Sequence, residues 1–353
     1  MAVVTSGRRR TGPVAVIALL AITLAGCGLG GQSTAPKGSP AAVAAVTAHS
    51  AATRDRLCGN STHVFVSSAN ELRNALASAR PGETIVLAAG TYDGDFAVSL
   101  SGTQSAPITL CGPRAAVLAG ESIARGYTVH LEHASWWRLI GFTVQGGQKG
   151  VMADGSSNDL LYGLYVHSTG DEAIHLRDFS SHDTITHCVV RDTGLLAQFF
   201  GEGIYVGSAH KNWCRYSGCQ PDRSNDNIIA DNNIAGTTAE NIDIKEGTTG
   251  GQITGNQFNG TGMVESAARA WVNVKGNDWL ITDNAGADSI KDGFQVHQVY
   301  PGWGMDNTFR GNRADVNGPG YGFYIQSKKL NATVACDNTV SGAASGFSTI
   351  PCA

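Results

Sequence analysis

Six segments of the chain, 171–177, 201–207, 239–245, 269–275, 291–297 and 320–326, alternate apolar and polar positions with a period of two. Ile174, Ile204, Ile242, Val272, Phe294 and Phe323 are each followed two residues later by Leu176, Val206, Ile244, Val274, Val296 or Ile325. A period of two predicts strands with one face turned into a core. Asparagine marks the beat between them. Asn232, Asn256, Asn284, Asn312 and Asn338 recur at spacings of 24, 28, 28 and 26 residues, each after a short β-rich run. Going backwards, the pattern assigns the same slot to His187, Gly163 and Gly141. A repeat of this length with no helical pattern inside it predicts a solenoid of stacked strands, its asparagines bonded along the stack.

Residues 69–77 have helical spacing, broken by Pro81-Gly82 before the strand-like run 83–87. A helix there would cover the bare edge of the first coil. The fold class predicted is all-β: a right-handed parallel β-helix over 61–353 with a short N-terminal capping helix. The rhythm breaks once. From His187 to Asn232 is 45 residues, and the excess is the loop 208–225, which holds His210, Lys211, Trp213, Arg215, Tyr216 and Arg223. A long loop on a regular scaffold points to function, here the wall of a carbohydrate cleft.

Residues 1–27 read as an export signal, with Arg8-Arg9-Arg10 before an apolar run too short for a comfortable membrane span. Leu24-Ala25-Gly26-Cys27 resembles a lipoprotein processing box, which places the protein outside the cell, tethered through a lipidated Cys27 or secreted. Residues 28–60, rich in Ala, Gly, Ser and Pro, are the flexible tether. Without the signal the chain carries 22 basic against 29 acidic residues, which argues against nucleic acid as a partner. Of the seven remaining cysteines, Cys214/Cys219, Cys336/Cys352 and Cys58/Cys111 are the expected pairs, and Cys188 a buried thiol. Capped at both ends, the domain reads as a monomer.

The repeat register also stacks polar residues. Glu172, Glu202 and Glu240 open three successive coils, about 4.8 Å apart if their strands are neighbours. One outward column runs His175, Tyr205, Asp243, Asn273, Gln295 and Tyr324. The next runs Arg177, Gly207, Lys245, Lys275, His297 and Gln326. Stacked carboxylates repel unless a proton or cation lies between them, and Ca²⁺ is the fitting extracellular partner. Asp171, Asp243 and Asp292 are further acids in reach. Lys245 can instead pair simply with Asp243 or Glu246.

The helix followed by Pro-Gly-Glu-Thr-Ile-Val-Leu and Gly90-Thr91-Tyr92 resembles the first coil of β-helix polysaccharide lyases of the chondroitinase B, alginate lyase and pectate lyase type. In the calcium-dependent members a metal-ligand glutamate precedes a catalytic lysine by five residues, with an arginine on the following coil. Glu240, Lys245 and Arg269 match. Thr238 stands where those enzymes carry a further acid, so Glu202 would supply that charge. The resemblance implies β-elimination on an acidic polysaccharide. Calcium held by Glu202, Glu240, Glu172 and Asp243 would neutralise a uronate carboxylate. Lys245, its pKa lowered by surrounding positive charge, would take the C5 proton. Arg269, Tyr205 or His297 would assist the leaving oxygen. Lys275, Arg177, His175, Asn273, Trp213, Tyr216 and Arg215 would hold the substrate.

Three other readings stay open. A non-catalytic β-helix that binds polysaccharide needs only the aromatic loop and the basic stripe. A C5-epimerase would use the 292–297 element, which lacks the proline and second aspartate of known ones. A hydrolase needs a close aspartate cluster, which the sequence does not display.

Overall fold

A computed structural model describes residues 56–59 and 63–353, so the signal and most of the tether lie outside the described residues. The expected parallel β-helix of about ten turns is present. Three sheets of 11, 10 and 10 strands form its faces, and consecutive coils pair in parallel throughout. The predicted inward positions are all buried, Ile174, Ile204, Ile242, Val272 and Phe294 at 0% exposure. The register pairs them as predicted, Ile174 with Ile204, Ile204 with Ile242, Ile242 with Val272 and Val272 with Phe294.

The capping helix spans Ala69–Ser78 and buries Leu72, Ala75 and Leu76 against the first coils. Ser68 caps it by accepting the Glu71 N–H, and the Glu71 carboxylate reaches back to Ser67 N at 2.7 Å. Disulfides Cys58–Cys111, Cys214–Cys219 and Cys336–Cys352 form as expected, with Cys188 a buried thiol.

The asparagine ladder is continuous from Asn232 to Asn338. Both the backbone N and Nδ2 of each rung donate to the Oδ1 of the next, at 2.9–3.0 Å between Asn232 and Asn256. Its extension backwards differs from the sequence reading by one residue. Asn232 Oδ1 accepts from Cys188 N, so the slot continues through Cys188 rather than His187. His187, Gly163 and Gly141 belong to a neighbouring column that needs a positive φ (56°, 63° and 84°), shared with Asp231 (55°) and Gly255 (66°). Glycine meets that need without strain, and Asp and His tolerate it; the similarity of the two columns explains the slip. A second ladder runs beside it. Asp159 N donates to Asp183 Oδ1 at 2.9 Å, and Asp183 N to Asn227 Oδ1 at 2.8 Å.

Candidate active site

The outward columns lie side by side on one face of the 10-stranded sheet that contains Ile174–Arg177, Ile204–Val206 and Ile242–Ile244. His175 pairs with Tyr205, Tyr205 with Asp243, Asp243 with Asn273 and Asn273 with Gln295, as the pattern predicts. The acidic column also stacks: Ala173 N donates to Glu202 O and Gly203 N to Glu240 O.

Glu202, Glu240 and Asp243 come together. One carboxylate oxygen from each lies within 4.8 Å of the others, and the three residues are only 2–6% exposed. Asp243 is held between two lysines. Its Oδ2 is 2.7 Å from Lys245 Nζ, and its Oδ1 pairs with Lys275. Glu240 Oε1 accepts from Asn273 Nδ2 at 3.0 Å. Glu202 Oε2 is buried with no partner among the described residues. Glu172 stays apart from the triad. It is paired with Lys149, and His175 Nδ1 lies 3.4 Å from its other oxygen.

The electrostatics follow from the count of charges. Glu172, Glu202, Glu240 and Asp243 face Lys149, Lys245 and Lys275, which leaves one negative charge in excess. Burial, then Glu172, Asp243 and Glu240, raise the Glu202 carboxyl well above the usual range. Burial also raises Glu240, with Asp243 adding to it. Glu172 goes the other way, to about 2, because Lys149 and His175 outweigh the cost of its burial. The expected depression of Lys245 is absent. Burial pulls its ammonium down, but Asp243, Tyr205 and Glu202 together raise it well above an ordinary lysine. The simpler pairing of Lys245 with Asp243, two residues earlier on the same face, is the one the structure shows, and it outweighs the cations counted on to depress the lysine.

Tyr205 lies beneath Lys245, whose Nζ is 4.8 Å from the ring centroid. His175 packs against Tyr205 with ring centroids 4.4 Å apart and donates from Nε2 to Gly207 O at 3.0 Å. The Tyr205 hydroxyl has no hydrogen-bond partner among the described residues, and burial raises its pKa well above normal. His297 Nδ1 is 3.0 Å from Asn273 Oδ1, and burial beside Lys275 lowers the imidazole to about 4, so it is neutral at neutral pH.

Several residues expected at the substrate are engaged elsewhere. Arg177 is bound to Asp154 through Nε at 2.5 Å and Nη2 at 3.1 Å, with Tyr216 stacked on it at 3.7 Å. Trp213 is 6% exposed, donates to Ser208 O and packs on Tyr300, so it forms the inside of the long loop rather than its surface. Tyr216 is half-buried and Arg215 exposed beside it, at 5.0 Å. Arg269 is exposed, just outside the strand, with its side chain unpaired among the described residues. Thr238, where the lyases carry an acid, donates instead to Gln198 O at 2.9 Å and anchors the loop before Glu202. Asp292 is fully buried and bonded to Gln295 Nε2 and Tyr321 N, so the epimerase-like element presents no free acid. Two partners were missed: Lys149 and Asp154. Continuing the columns one coil back, into Lys149–Asp154, would have found both.

Against solved structures, the chain is similar to the alginate lyase from Paenibacillus sp. str. FPU-7. The two are 35% identical over 83% of this chain and 99% of that one, with a TM-score of 0.75. The chain belongs to the family of that alginate lyase. Likeness to other β-helix enzymes is one of fold. Pectate lyase Pel9A is 16% identical over 84% of this chain and 83% of its own, with a TM-score of 0.51. A mannuronic acid specific family 6 lyase from human gut microbiota is 13% identical over 83% and 77%, with a TM-score of 0.54. The periplasmic alginate epimerase AlgG shares the same architecture at 12% identity, over 77% and 61%, with a TM-score of 0.53. No protein-family model and no curated protein matches the sequence. Within this family of β-helix polysaccharide lyases, the sheet face carrying Lys245 and Tyr205 is the site to explain.

The acidic triad suits a hard cation. Its donors are all carboxylate oxygens, and Glu202 Oε2 is a buried acceptor without a donor.

Proposed function

We propose that this protein is an exported polysaccharide lyase, tethered through Cys27 or secreted, that cleaves a uronate-containing glycan by β-elimination. The observation that carries this reading is the juxtaposition of Lys245 and Tyr205 over the buried triad, in a chain that belongs to a lyase family. The Paenibacillus relative is an alginate lyase, which makes alginate the first substrate to try.

β-Elimination breaks the C5–H and C4–O bonds of a uronate and forms a C4=C5 double bond. One group accepts the C5 proton and another gives a proton to the departing O4. Lys245 enters the cycle as an ammonium held by Asp243, which suits it to give the proton to O4. Tyr205, whose hydroxyl is free of protein partners, would take the C5 proton as a phenolate, its own proton having first passed to solvent. The Lys245 ammonium 4.8 Å from its ring favours that anion against the burial that opposes it. A calcium ion held by Glu202, Glu240 and Asp243 would supply positive charge against the substrate carboxylate and so acidify C5–H. Lys275, already part of the Asp243 pair, adds positive charge to the same floor. Asn273 ties Glu240 to His297 and keeps both oriented. Arg215 and Tyr216 border the cleft on the disulfide-closed loop.

The roles expected from the resemblance, Lys245 as base with Arg269, Tyr205 or His297 assisting the leaving oxygen, form the second reading. It requires Lys245 to shed a proton that the Asp243 carboxylate helps to keep on its ammonium.

The test is the ultraviolet absorbance of unsaturated uronides on alginate, pectate, chondroitin, heparan, hyaluronan and glucuronan, with calcium and with chelator. Absorbance that rises on one polymer and is abolished in Lys245→Ala establishes the lyase. A flat trace on every polymer overturns it in favour of a binding module. Deuterium exchange then assigns the roles: with Tyr205 as base, Lys245→Ala still exchanges C5–H with solvent D₂O, and Tyr205→Phe does not.

A further inference from the structure

The cleft is electrostatically one-sided. Toward the N-terminal coils, the cations on the floor are Lys149, paired with Glu172, and Arg177. Asp154 binds Arg177 through two nitrogens, and Tyr216 lies on its face, so its charge is neutralised and covered. Asp154 also accepts from His130 Nε2 at 2.9 Å, and Glu132 stands beside it on the next strand. That end sets the carboxylates of Asp154 and Glu132 against one exposed loop cation, Arg215 beside Tyr216.

Toward the C-terminal coils the balance reverses. Arg269 and Lys291 occupy matching positions on neighbouring coils, each one residue before the paired Ala270 and Asp292. Arg269 is exposed and unpaired among the described residues. Lys291 is 39% exposed in its side chain. Its Nζ is 3.9 Å from Asp292, a carboxylate already satisfied by Gln295 and Tyr321 N. The same Nζ lies 5.8 Å from the ring centroid of Tyr324, the half-buried last member of the floor column. A cation beside an aromatic face, with a second cation at the matching position of the preceding coil, is a set of groups that can take a sugar acid: the ring's apolar face packs on tyrosine, and the carboxylate meets the cations.

Spacing supports the match. Lys291 lies two coils beyond Lys245 and Tyr324 three, and coils rise by about 4.8 Å. A glycan lying along the helix axis would meet a new coil at roughly each sugar.

We propose that Arg269, Lys291 and Tyr324 form a uronate-binding subsite on the C-terminal side of the reaction centre, and that the polyanion's grip on the cleft comes mainly from that side. The proposal rests on the lyase reading for its substrate class. It also moves Arg269 from the reacting bond, where the resemblance would put it, to substrate binding.

The experiment compares wild type with Arg269→Gln/Lys291→Gln, Lys291→Arg and Tyr324→Leu, with thermal melts as a folding check. On alginate, or whichever polymer the wild type cleaves, the double variant raises KM about ten-fold and leaves kcat within about two-fold, because uniform binding is lost. Its KM also becomes less sensitive to salt. Tyr324→Leu raises KM, and Lys291→Arg retains wild-type KM. A KM unchanged in the double variant overturns the subsite, and a collapse of kcat in Arg269→Gln alone returns Arg269 to the reacting bond. If the wild type cleaves no polymer, the lyase reading has failed, and calorimetric titration with intact alginate and pectate tests the subsite separately. Weaker binding in the double variant then supports it, and equal affinity or no binding by the wild type overturns it.

Discussion

Asp243 and Lys245 sit two residues apart on one outward face, with Oδ2 and Nζ 2.7 Å apart. This pair decides the protonation state in which Lys245 meets substrate. Burial opposes the ammonium, and Asp243 with Tyr205 and Glu202 more than restores it. A donor works below its pKa, so an active Lys245 gives a rate that fails on the alkaline side. In Asp243→Asn the raising charge is gone and the alkaline limb moves to lower pH, with kcat falling by about a hundred-fold. A pH profile of kcat reads this directly. An alkaline limb that stays in place while an acid limb moves down would make Lys245 the base.

Metal removal has a signature that does not depend on turnover. A cation bound by the folded triad and not by the unfolded chain stabilises the fold by mass action. Calcium therefore raises the melting temperature of the wild type and leaves that of Glu202→Gln unchanged, because this variant lacks the buried unpartnered oxygen. In activity assays chelator reproduces the loss seen in Glu202→Gln or Glu240→Gln. Equal calcium responses in wild type and Glu202→Gln would remove the cation from the site.

The fold was legible because its period is written twice, in the inward apolar pairs and in the asparagines, and both depend on backbone register. The floor columns followed from the same register, which is why Tyr205, Asp243 and Asn273 were aligned correctly. Pairing along the columns was not legible. Whether Arg177 faces substrate or Asp154 depends on side-chain direction, and an outward Trp213 and an inward one have the same spacing in sequence. The one-residue slip at His187 arose because Gly, His and Asp in a positive-φ column recur at the same interval as asparagines one position later.

The asparagine ladder makes a stability prediction. Asn256 is fully buried, donates Nδ2 to Ile229 O at 2.8 Å and to Asn284 Oδ1 at 2.9 Å, and accepts from Asn232. Asn256→Ala takes the acceptor from Asn232 N and Nδ2 and the side-chain donor from the Ile229 carbonyl, all on the preceding coil, while Asn284 Oδ1 keeps the Asn256 N–H. The cost is about 3 kcal/mol, since each buried unsatisfied group costs ~1–3 kcal/mol. Chemical denaturation measures it, and a change below about 0.5 kcal/mol, the range of an ordinary surface substitution, would show that the ladder contributes little.

The parallel ladder carries acids where an amide would serve. Asp159 and Asp183 are 2% and 0% exposed; each uses Oδ1 as an acceptor, and each has a buried Oδ2 without a partner. Burial raises both carboxyls well above the ordinary range, and Asp159 raises Asp183 further. In the unfolded chain they titrate near pH ~3.9, so above that pH the folded state holds more protons than the unfolded one. Their contribution to stability is therefore full below about pH 4 and declines as pH rises toward the folded pKa values. Asn227, next in the column, already shows the neutral solution: its Nδ2 donates to Ser180 O at 3.0 Å and Ser224 O at 3.1 Å. Asp183→Asn keeps the shape and acceptor, adds donors at the Oδ2 position, and removes the titration. It should raise the melting temperature at neutral and alkaline pH and flatten its decline, by an amount equivalent to about 1–3 kcal/mol for a buried group newly satisfied. Melts across the pH range decide it: a variant whose curve runs parallel to wild type would mean that these acids are ionised in the fold.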